Sequence, residues 1–252
     1  MSAFPAGYSF NPLAQVDSTN MHAMELVYAG LAGNGSVFFT NYQTSGKGQR
    51  GKQWVSDAGE SILMTIVLDT NRLTTSQAFR LSATIAVAVK NFIEFIAGSA
   101  ITIKWPNDLY SGDRKAGGIL IENIINQGSL KWSIIGMGIN VNQPAFAAHL
   151  PKAISLRMLT GKTYDCELLA KQLTGFVHEQ WELLLAGNWE QIFSTYNENL
   201  YGRGMVKRLR KGAVVIPCKI QMVNKHGLLV AGENEEWHFT HGEVEWLQNP
   251  VE

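Results

Sequence analysis

Cysteine is scarce in this chain. Cys166 and Cys218 are the only two in 252 residues, and they stand in no metal-ligand spacing. A disulfide framework and a cysteine-based zinc site are therefore not expected, and both thiols read as small apolar residues in a reducing compartment. Charge is balanced, with 21 Lys and Arg against 21 Asp and Glu. That balance argues against a whole-molecule electrostatic grip on nucleic acid or membrane, although local patches remain open. No apolar run approaches the ~18 residues of a membrane span, and no secretion-type leader is visible. The reading is a cytoplasmic protein with no membrane partner. No serine sits in a G-x-S-x-G elbow, no Cys/His pair stands out, and the six histidines are scattered. A protein-borne nucleophile is thus not indicated, and His238 and His241 do not read as a metal pair.

What is present is an ordinary globular composition, 46% hydrophobic and 17% charged. It suffices for one large domain plus a small one. No internal repeat or low-complexity segment interrupts it. Residues 1–16 read as loop, with Pro5, Gly7 and Pro12. Asp17-Ser18-Thr19-Asn20 offers N-caps for a short helix over Met21–Leu31. Strands are predicted at Ser36–Tyr42 and Ser61–Asp69, and a long helix over Thr75–Ala97. A short strand, Ile101–Trp105, is broken by Pro106. Gly118–Ile125 and Leu130–Gly138 read as a hairpin around Asn126-Gln127-Gly128, and Asn140–Pro151 as irregular. Helices are predicted at Asp165–Gly187 and Trp189–Leu200. From Gly204 short β-rich runs alternate with glycine turns, which suggests a small barrel. The expected organisation is an α+β domain with a mixed sheet over residues 1–202 and a small β-barrel over 203–252.

The stretch that demands an explanation is Gln43–Trp54, Q-T-S-G-K-G-Q-R-G-K-Q-W. Three glycines and three cations follow directly on a predicted strand. Glycine lets the backbone approach a ligand, and exposed N–H groups with cations suit an anion, most often phosphate. Gly46, Gly48 and Gly51 also match G-x-G-x-x-G. The dinucleotide reading needs a helix starting inside that run, and Lys52–Glu60 has no helical spacing. The loop is expected to be mobile when empty, since Lys47, Arg50 and Lys52 repel one another until an anion arrives.

Four further segments put polar residues or glycines where a plain core would not. Lys104-Trp105-Pro106-Asn107-Asp108 ends a strand in an amide and a carboxylate that can hold Mg²⁺ or a sugar hydroxyl. Arg114-Lys115-Ala116-Gly117-Gly118 sets a lysine at the mouth of a strand, where it can meet a phosphate or carboxylate. Gly136-Met137-Gly138-Ile139-Asn140 opens a strand into glycines and amides. Ser18-Thr19-Asn20 completes the set. A cationic, glycine-walled pocket without a nucleophile suits a reaction whose substrates supply nucleophile and leaving group. Nucleotidyl transfer to a carboxylate is of that kind.

The same segments, in this order and spacing, resemble biotin–protein ligases (biotin–[acetyl-CoA-carboxylase] ligases). The carrying motifs are D-S-T-N at 17–20, the loop at 42–54, K-W-P-N-D at 104–108, R-K-A-G-G-I-L-I-E at 114–122 and G-M-G-I-N at 136–140. The resemblance runs through the C-terminal barrel. It implies a class II aminoacyl-tRNA-synthetase/biotin-ligase-like mixed sheet with an SH3-like barrel, substrates biotin and ATP with Mg²⁺, and a biotin carboxyl carrier domain as partner. Ser18, Thr19 and Gln43 would then hydrogen-bond the ureido ring, with Asn20 beside them. Trp54 would lie on the apolar part of biotin, enclosed by Gly46, Lys47, Gly48 and Gln49 of the loop and by Gly117 and Gly118. Lys115 would pair with the biotin carboxylate and later with the adenylate phosphate. Arg50 and Lys52 would face the triphosphate, and Trp105, Asn107, Asp108 and Asn140 the nucleotide, with Asp108 toward Mg²⁺. Lys115, Arg50 and Asp108 would carry the chemistry.

Two departures stand out. Family members commonly carry G-R-G-R-R-G in the loop, whereas this chain has Lys47 and Gln49 at the first two arginine positions. Lysine loses the bidentate fork and glutamine the charge, so the adenylate is expected to be held less tightly. Only 16 residues precede Asp17-Ser18-Thr19-Asn20, too few for the helix-turn-helix domain of the repressor members. The expectation is a short form without specific DNA binding. Monomer and homodimer remain open. The nearest alternative is a lipoate–protein ligase-like adenylating enzyme, and another is a non-catalytic binding module.

Overall fold

The fold was obtained as a computed structural model that describes residues 4–147, 152–233 and 235–247. The N-terminal part contains β1 (Ser9–Leu13), α1 (Thr19–Tyr28), β2 (Ser36–Thr40), β3 (Ser61–Asp69) and α2 (Ala78–Ala97). It continues with β4 (Thr102–Lys104), β5 (Asp108–Ser111), β6 (Arg114–Asn126) and β7 (Ser129–Asn140), then α3 (Leu156–Thr160), α4 (Cys166–Leu185) and α5 (Trp189–Glu198). One seven-stranded sheet runs in the order β1-β2-β3-β7-β6-β5-β4. β1 and β2 are parallel and the other pairs antiparallel. The expected mixed sheet is borne out.

β3 shows how the sequence divides the sheet into two faces. Side chains alternate along a strand, so its even-numbered positions share one face and its odd-numbered ones the other. Ile62, Met64, Ile66 and Leu68 join the main core, which α2, α4 and α5 also build. Val67, on the other face, packs with Ile134 and Phe38 under Ala23 and Val27 of α1. α1 is only 10 residues long and covers one end of that face. The register extends the same face across the sheet: Leu63 and Thr65 stand opposite Gly138 and Gly136, and these opposite Gly118 and Leu120. Beyond the reach of α1, this face carries three glycines and is left open.

The first strand corrects the expectation of loop over residues 1–16. Pro12 cannot donate to a ladder, but an edge strand tolerates it, and β1 is the edge beside β2. The loop after β2 contains only one 3-10 turn, Gln49–Gly51, so the helix a dinucleotide fold requires is absent there. The hairpin turn at Gln127-Gly128 takes positive φ at both residues, as a type I′ connection does. Part of the segment predicted to be irregular, residues 148–151, lies outside the described residues.

The C-terminal part contains β8 (Val206–Lys211), β9 (Val214–Val223), β10 (Leu229–Ala231), β11 (Trp237–Phe239) and β12 (Glu245–Trp246). They form a five-stranded antiparallel sheet ordered β11-β10-β9-β8-β12. The expected small all-β unit is there. Among the described residues no pairing joins its edges, β11 and β12, into a closed barrel. Its Leu209, Ile220, Leu229 and Phe239 belong to the same buried core as the large sheet. Asn197 of α5 clamps β9, accepting from Val223 N at 2.7 Å and donating to Val223 O at 3.1 Å. Trp105 Nε1 donates to Gly227 O at 3.0 Å. No helix among the described residues is long and apolar enough to cross a membrane.

Candidate functional site

The open glycine face is the floor of a cleft of about 480 Å³. α1 enters at one end of it. Ser18 occupies the N-cap position, yet its hydroxyl makes no capping bond, and the residue is buried against the cleft. The expected capping role is thus not what this hydroxyl does. The α1 entrance is stitched to the loop after β2. Ser45 N donates to Asp17 O at 2.9 Å, and Gln43 Oε1 accepts from Thr19 N at 2.8 Å and from Thr19 Oγ1 at 3.2 Å. These bonds hold Thr19 and Gln43 side by side at the cleft wall.

The glycines are where the chemistry needs them. A Cβ on Gly136 would stand 2.3 Å from Asn20 Oδ1, and one on Gly138 would stand 2.6 Å from the Trp54 ring. Asn20 therefore lies over Gly136, and the indole lies over Gly138 two residues on. Gly46 lets the loop close behind that indole: its own Cβ would meet Trp54 O at 2.4 Å, and its carbonyl accepts from Trp54 N at 2.9 Å. The Trp54 Nε1 is buried and has no hydrogen-bond partner among the described residues.

Beyond the indole lies the charged end. Asp108 pairs in register with Gly118, and a register shift follows between Leu109 and Tyr110. That bulge sets two β6 residues against one of β5, which re-aims a side chain. Lys115 thereby reaches the cleft as Gly118 does. Its Nζ lies 2.7 Å from Asp108 Oδ1 and 5.6 Å from the centre of the Trp54 ring. A side chain at Gly118 would crowd both, with Lys115 Nζ at 3.2 Å and Asp108 Oδ1 at 3.3 Å. The pair is partly exposed, so the bond is a positioning device more than a source of stability.

A second cleft adjoins the first and shares Gln49, Asn107, Ile119 and Leu120 with it. Its far wall comes from the C-terminal sheet through Gly227, Thr240 and His241. Arg50 and Trp105 line this cleft. Arg50 has φ 57° and donates from Nη1 to Gly242 O at 2.8 Å, tying the loop to the turn before β12. Burial and the Arg50 charge push the His241 imidazole below its ordinary range. Asn107 is fixed between the clefts, donating from Nδ2 to Ile119 O at 2.6 Å.

The structure therefore brings Ser18, Thr19, Asn20 and Gln43 together with Lys47, Gly48, Gln49 and Trp54, and sets Asp108, Lys115 and Gly118 at the other end. It does not bring in four of the expected residues directly. Gly117 faces the other side, where a Cβ would stand 3.0 Å from Gly138 O, so it serves strand packing. Gly46 acts from behind Trp54. Asn140 is buried and donates to Lys115 O and Ile154 O at 3.3 and 3.2 Å, holding the main chain that carries Lys115. Lys52 is exposed and lines neither cleft. Among the described residues no group of three His, Cys, Asp or Glu is placed to hold a metal.

Sequence reasoning missed two contributors. Thr65 is the polar residue inside an otherwise apolar stretch of β3, and Glu122 shares the face of Gly118. Both contact Asn20 or Thr19. Thr65 offers a faint signal, a polar side chain in the middle of the buried β3, and Glu122, on the partly exposed β6, offers none.

Comparison with known proteins gives consistent matches. The model of the biotin/lipoate A/B protein ligase family matches residues 13–140. The bifunctional ligase/repressor BirA of Escherichia coli (strain K12) is 31% identical over 135 residues, which is 54% of this chain and 41% of that protein. The biotin–[acetyl-CoA-carboxylase] ligase of Paracoccus denitrificans is 34% identical over 161 residues, 62% of this chain and 65% of that protein. The matches thus span less than two thirds of the length of these relatives. Among solved structures, the biotin protein ligase from Aquifex aeolicus in complex with biotin and ATP superimposes with a TM-score of 0.80 at 23% identity, covering 96% of this chain and 99% of that one. The Leishmania major enzyme in complex with biotinyl-5-AMP does so with a TM-score of 0.63 at 21% identity, covering 96% and 99%. At these identities the structural likeness shows the fold.

Proposed function

This chain belongs to the biotin/lipoate A/B protein ligase family, and from that premise we propose that it is a biotin–protein ligase. It joins biotin to ATP, giving biotinyl-5′-AMP and pyrophosphate, and then passes the biotinyl group to a lysine of a biotin carboxyl carrier domain. The observation that carries this reading is the order of groups along the first cleft. Neutral hydrogen-bonding side chains of Thr19, Asn20 and Gln43 stand at one end, the Trp54 indole over the middle, and the Lys115 ammonium at the other. Biotin has the matching order: a neutral ureido head, an apolar chain and a carboxylate.

The chemistry needs no protein nucleophile. A carboxylate oxygen of biotin attacks the α-phosphorus of ATP, and pyrophosphate leaves. Lys115 first neutralises the carboxylate and then the phosphoryl oxygens of the adenylate, while Asp108 keeps its ammonium in place. The carrier amine then attacks the acyl carbon, and AMP leaves with the bonding pair of the acyl–oxygen bond. The second cleft takes the nucleotide, with Arg50 toward the phosphates and Trp105 and Asn107 toward the nucleoside. Lys52 and Asn140 are given no ligand contact in this reading. Among the described residues Asp108 is the one carboxylate lining the first cleft, so the residues suit a Mg²⁺ that arrives on the triphosphate better than a resident ion. Such an ion offsets phosphate charge when bound. Residues 1–202 would bind both substrates, with 203–252 closing the nucleotide side.

ATP–pyrophosphate exchange tests this with biotin, with lipoate and with neither. Biotin-dependent exchange is expected. Exchange with lipoate alone moves the protein to the sister activity of its family, and no exchange overturns the enzyme reading in favour of a binding module.

A further inference from the structure

Behind the cleft wall runs a chain of hydrogen bonds whose polarity is fixed from one end. Asn20 Nδ2 lies 2.9 Å from Glu122 Oε2 and 3.3 Å from Leu120 O. Both are acceptors, so the Asn20 amino group must point at them and its Oδ1 away. That oxygen lies 2.6 Å from Thr65 Oγ1. Thr65 therefore spends its only hydroxyl proton on Asn20. Its oxygen also lies 2.8 Å from Thr19 Oγ1, a contact that can be filled only by the proton of Thr19. The alternative acceptor for that proton, Gln43 Oε1 at 3.2 Å, already accepts from Thr19 N at 2.8 Å. On either count the Thr19 proton is committed within the protein. What Thr19 has left for the cleft is a lone pair.

We infer that Glu122 and Thr65 are specificity-determining positioning residues: through Asn20 they set Thr19 to act as a hydrogen-bond acceptor, which selects a ligand head group bearing an N–H. Neither residue lines the cleft, so each acts through Thr19 and Asn20. Thr65 is fully buried, where an unmatched polar contact costs most. Gly136 is part of the same device. Any side chain there would push Asn20 out of the relay, since its Cβ would stand 2.3 Å from Asn20 Oδ1. The inference rests on the proposal that the cleft takes biotin, whose ureido ring carries two N–H groups, and it explains how a head group without an N–H, such as a dithiolane, is refused.

The test compares the wild type, Thr65→Val, Thr65→Ser and Glu122→Gln. Steady-state pyrophosphate exchange gives KM for biotin, KM for ATP and kcat, and thermal unfolding reports on the fold. Thr65→Val keeps the shape and removes the relay, so KM for biotin is expected to rise about tenfold while KM for ATP and kcat stay within twofold. Thr65→Ser is expected to restore the wild-type value. Glu122→Gln can offer its own amino group to Asn20, letting that amide turn over and the relay reverse, and is expected to raise KM for biotin alone. A rise in KM for both substrates together with a lowered Tm and no rescue by serine would mean a purely structural role and overturns the inference. So does an unchanged KM for biotin in Thr65→Val. Absence of biotin dependence in the wild type overturns the biotin reading itself, and the inference with it.

Discussion

Replacing Gly138 with alanine brings a methyl group to 2.6 Å from Trp54 Cε2 and to 2.8 Å from Cδ2 and Cζ2. Carbon atoms pack at about 3.5–4.0 Å, so the ring must retreat by about 1 Å. Trp54 cannot retreat freely, because its backbone is bonded to Gly46 and the Lys115 ammonium lies 5.6 Å from the centre of its ring. Overpacking of this kind costs ~1–3 kcal/mol. In a chain of this length that lowers Tm by roughly 2–12 °C. The larger effect falls on the cleft, since the displaced indole takes the space assigned to the apolar part of biotin. A misplacement of about 1 Å can cost up to about a hundredfold in such a site. KM for biotin is therefore expected to rise at least about tenfold, with KM for ATP changed far less. Gly128→Ala is the control: its φ of +79° is unsuited to alanine, so it strains the backbone, yet nothing lies within 4 Å of the new Cβ. It should lower Tm and leave both KM values alone. A Gly138→Ala enzyme that handles biotin like the wild type would refute the argument that glycine floors the cleft so that Trp54 can cover it.

Other consequences are as open to test. Gly242→Ala would set a Cβ 2.1 Å from the Arg50 guanidinium carbon, so amide hydrogen exchange over Gln49–Lys52 should quicken severalfold without ligand; an unchanged rate means that the Arg50–Gly242 bond does not hold the loop. Gln49→Arg restores a charge-assisted contact worth about 1.5–3 kcal/mol, and release of biotinyl-5′-AMP should slow by about tenfold or more; equal release rates contradict the assignment of Gln49 to the adenylate. Burial of Lys104 against Tyr110, Tyr201 and Trp246 outweighs the pull of Asp108 and lowers its ammonium to about 8. The unfolded chain then binds more protons than the folded one from about pH 8 to the ordinary lysine value, so stability rises with pH across that window. Tyr110 and Tyr201 are raised, chiefly by burial, and reverse the trend once unfolded tyrosines ionise at about pH 10. Cys166 and Cys218, also raised by burial, oppose that gain as unfolded thiols ionise at about pH 8.5. Urea unfolding should therefore show the wild type gaining stability relative to Lys104→Met between about pH 7.5 and 9, and parallel profiles for the two proteins count against the buried ammonium.

Much of the large sheet is legible from periodicity. β3 runs over the span its β-branched and apolar residues predict, and α2 needs only its first turn reassigned to a 3-10 turn, Thr75–Gln77. β1 is not legible, because Pro12 reads as a break while an edge strand has no use for its missing N–H. β8 is obscured by charge. V-K-R-L-R-K buries only Leu209, so no apolar alternation signals it. The G-M-G segment reads as a strand giving way to a loop, yet it lies well inside β7. Glycine there marks the approach of Asn20 and Trp54, which only the fold reveals. The candidate residues of the first cleft follow from motifs close in sequence to the strands that carry them. The C-terminal wall of the second cleft does not, since Arg50 and Gly242 are joined only by the docking of one sheet against the other. Thr65 and Glu122 are hidden for another reason: each touches the site through a neighbour, so even the polarity of Thr65 within an apolar strand does not say what it contacts.

The central claim is that one cleft reads a neutral head at Thr19 and Gln43 and a carboxylate at Lys115. Calorimetric binding of biotin and of biotin amide, to the wild type and to Lys115→Met, tests it most directly. The account predicts that the wild type binds biotin at least about tenfold more tightly than the amide, the worth of one charge-assisted contact, and that Lys115→Met no longer distinguishes the two. Equal affinity for both ligands in the wild type, or undiminished preference for biotin in Lys115→Met, would contradict it.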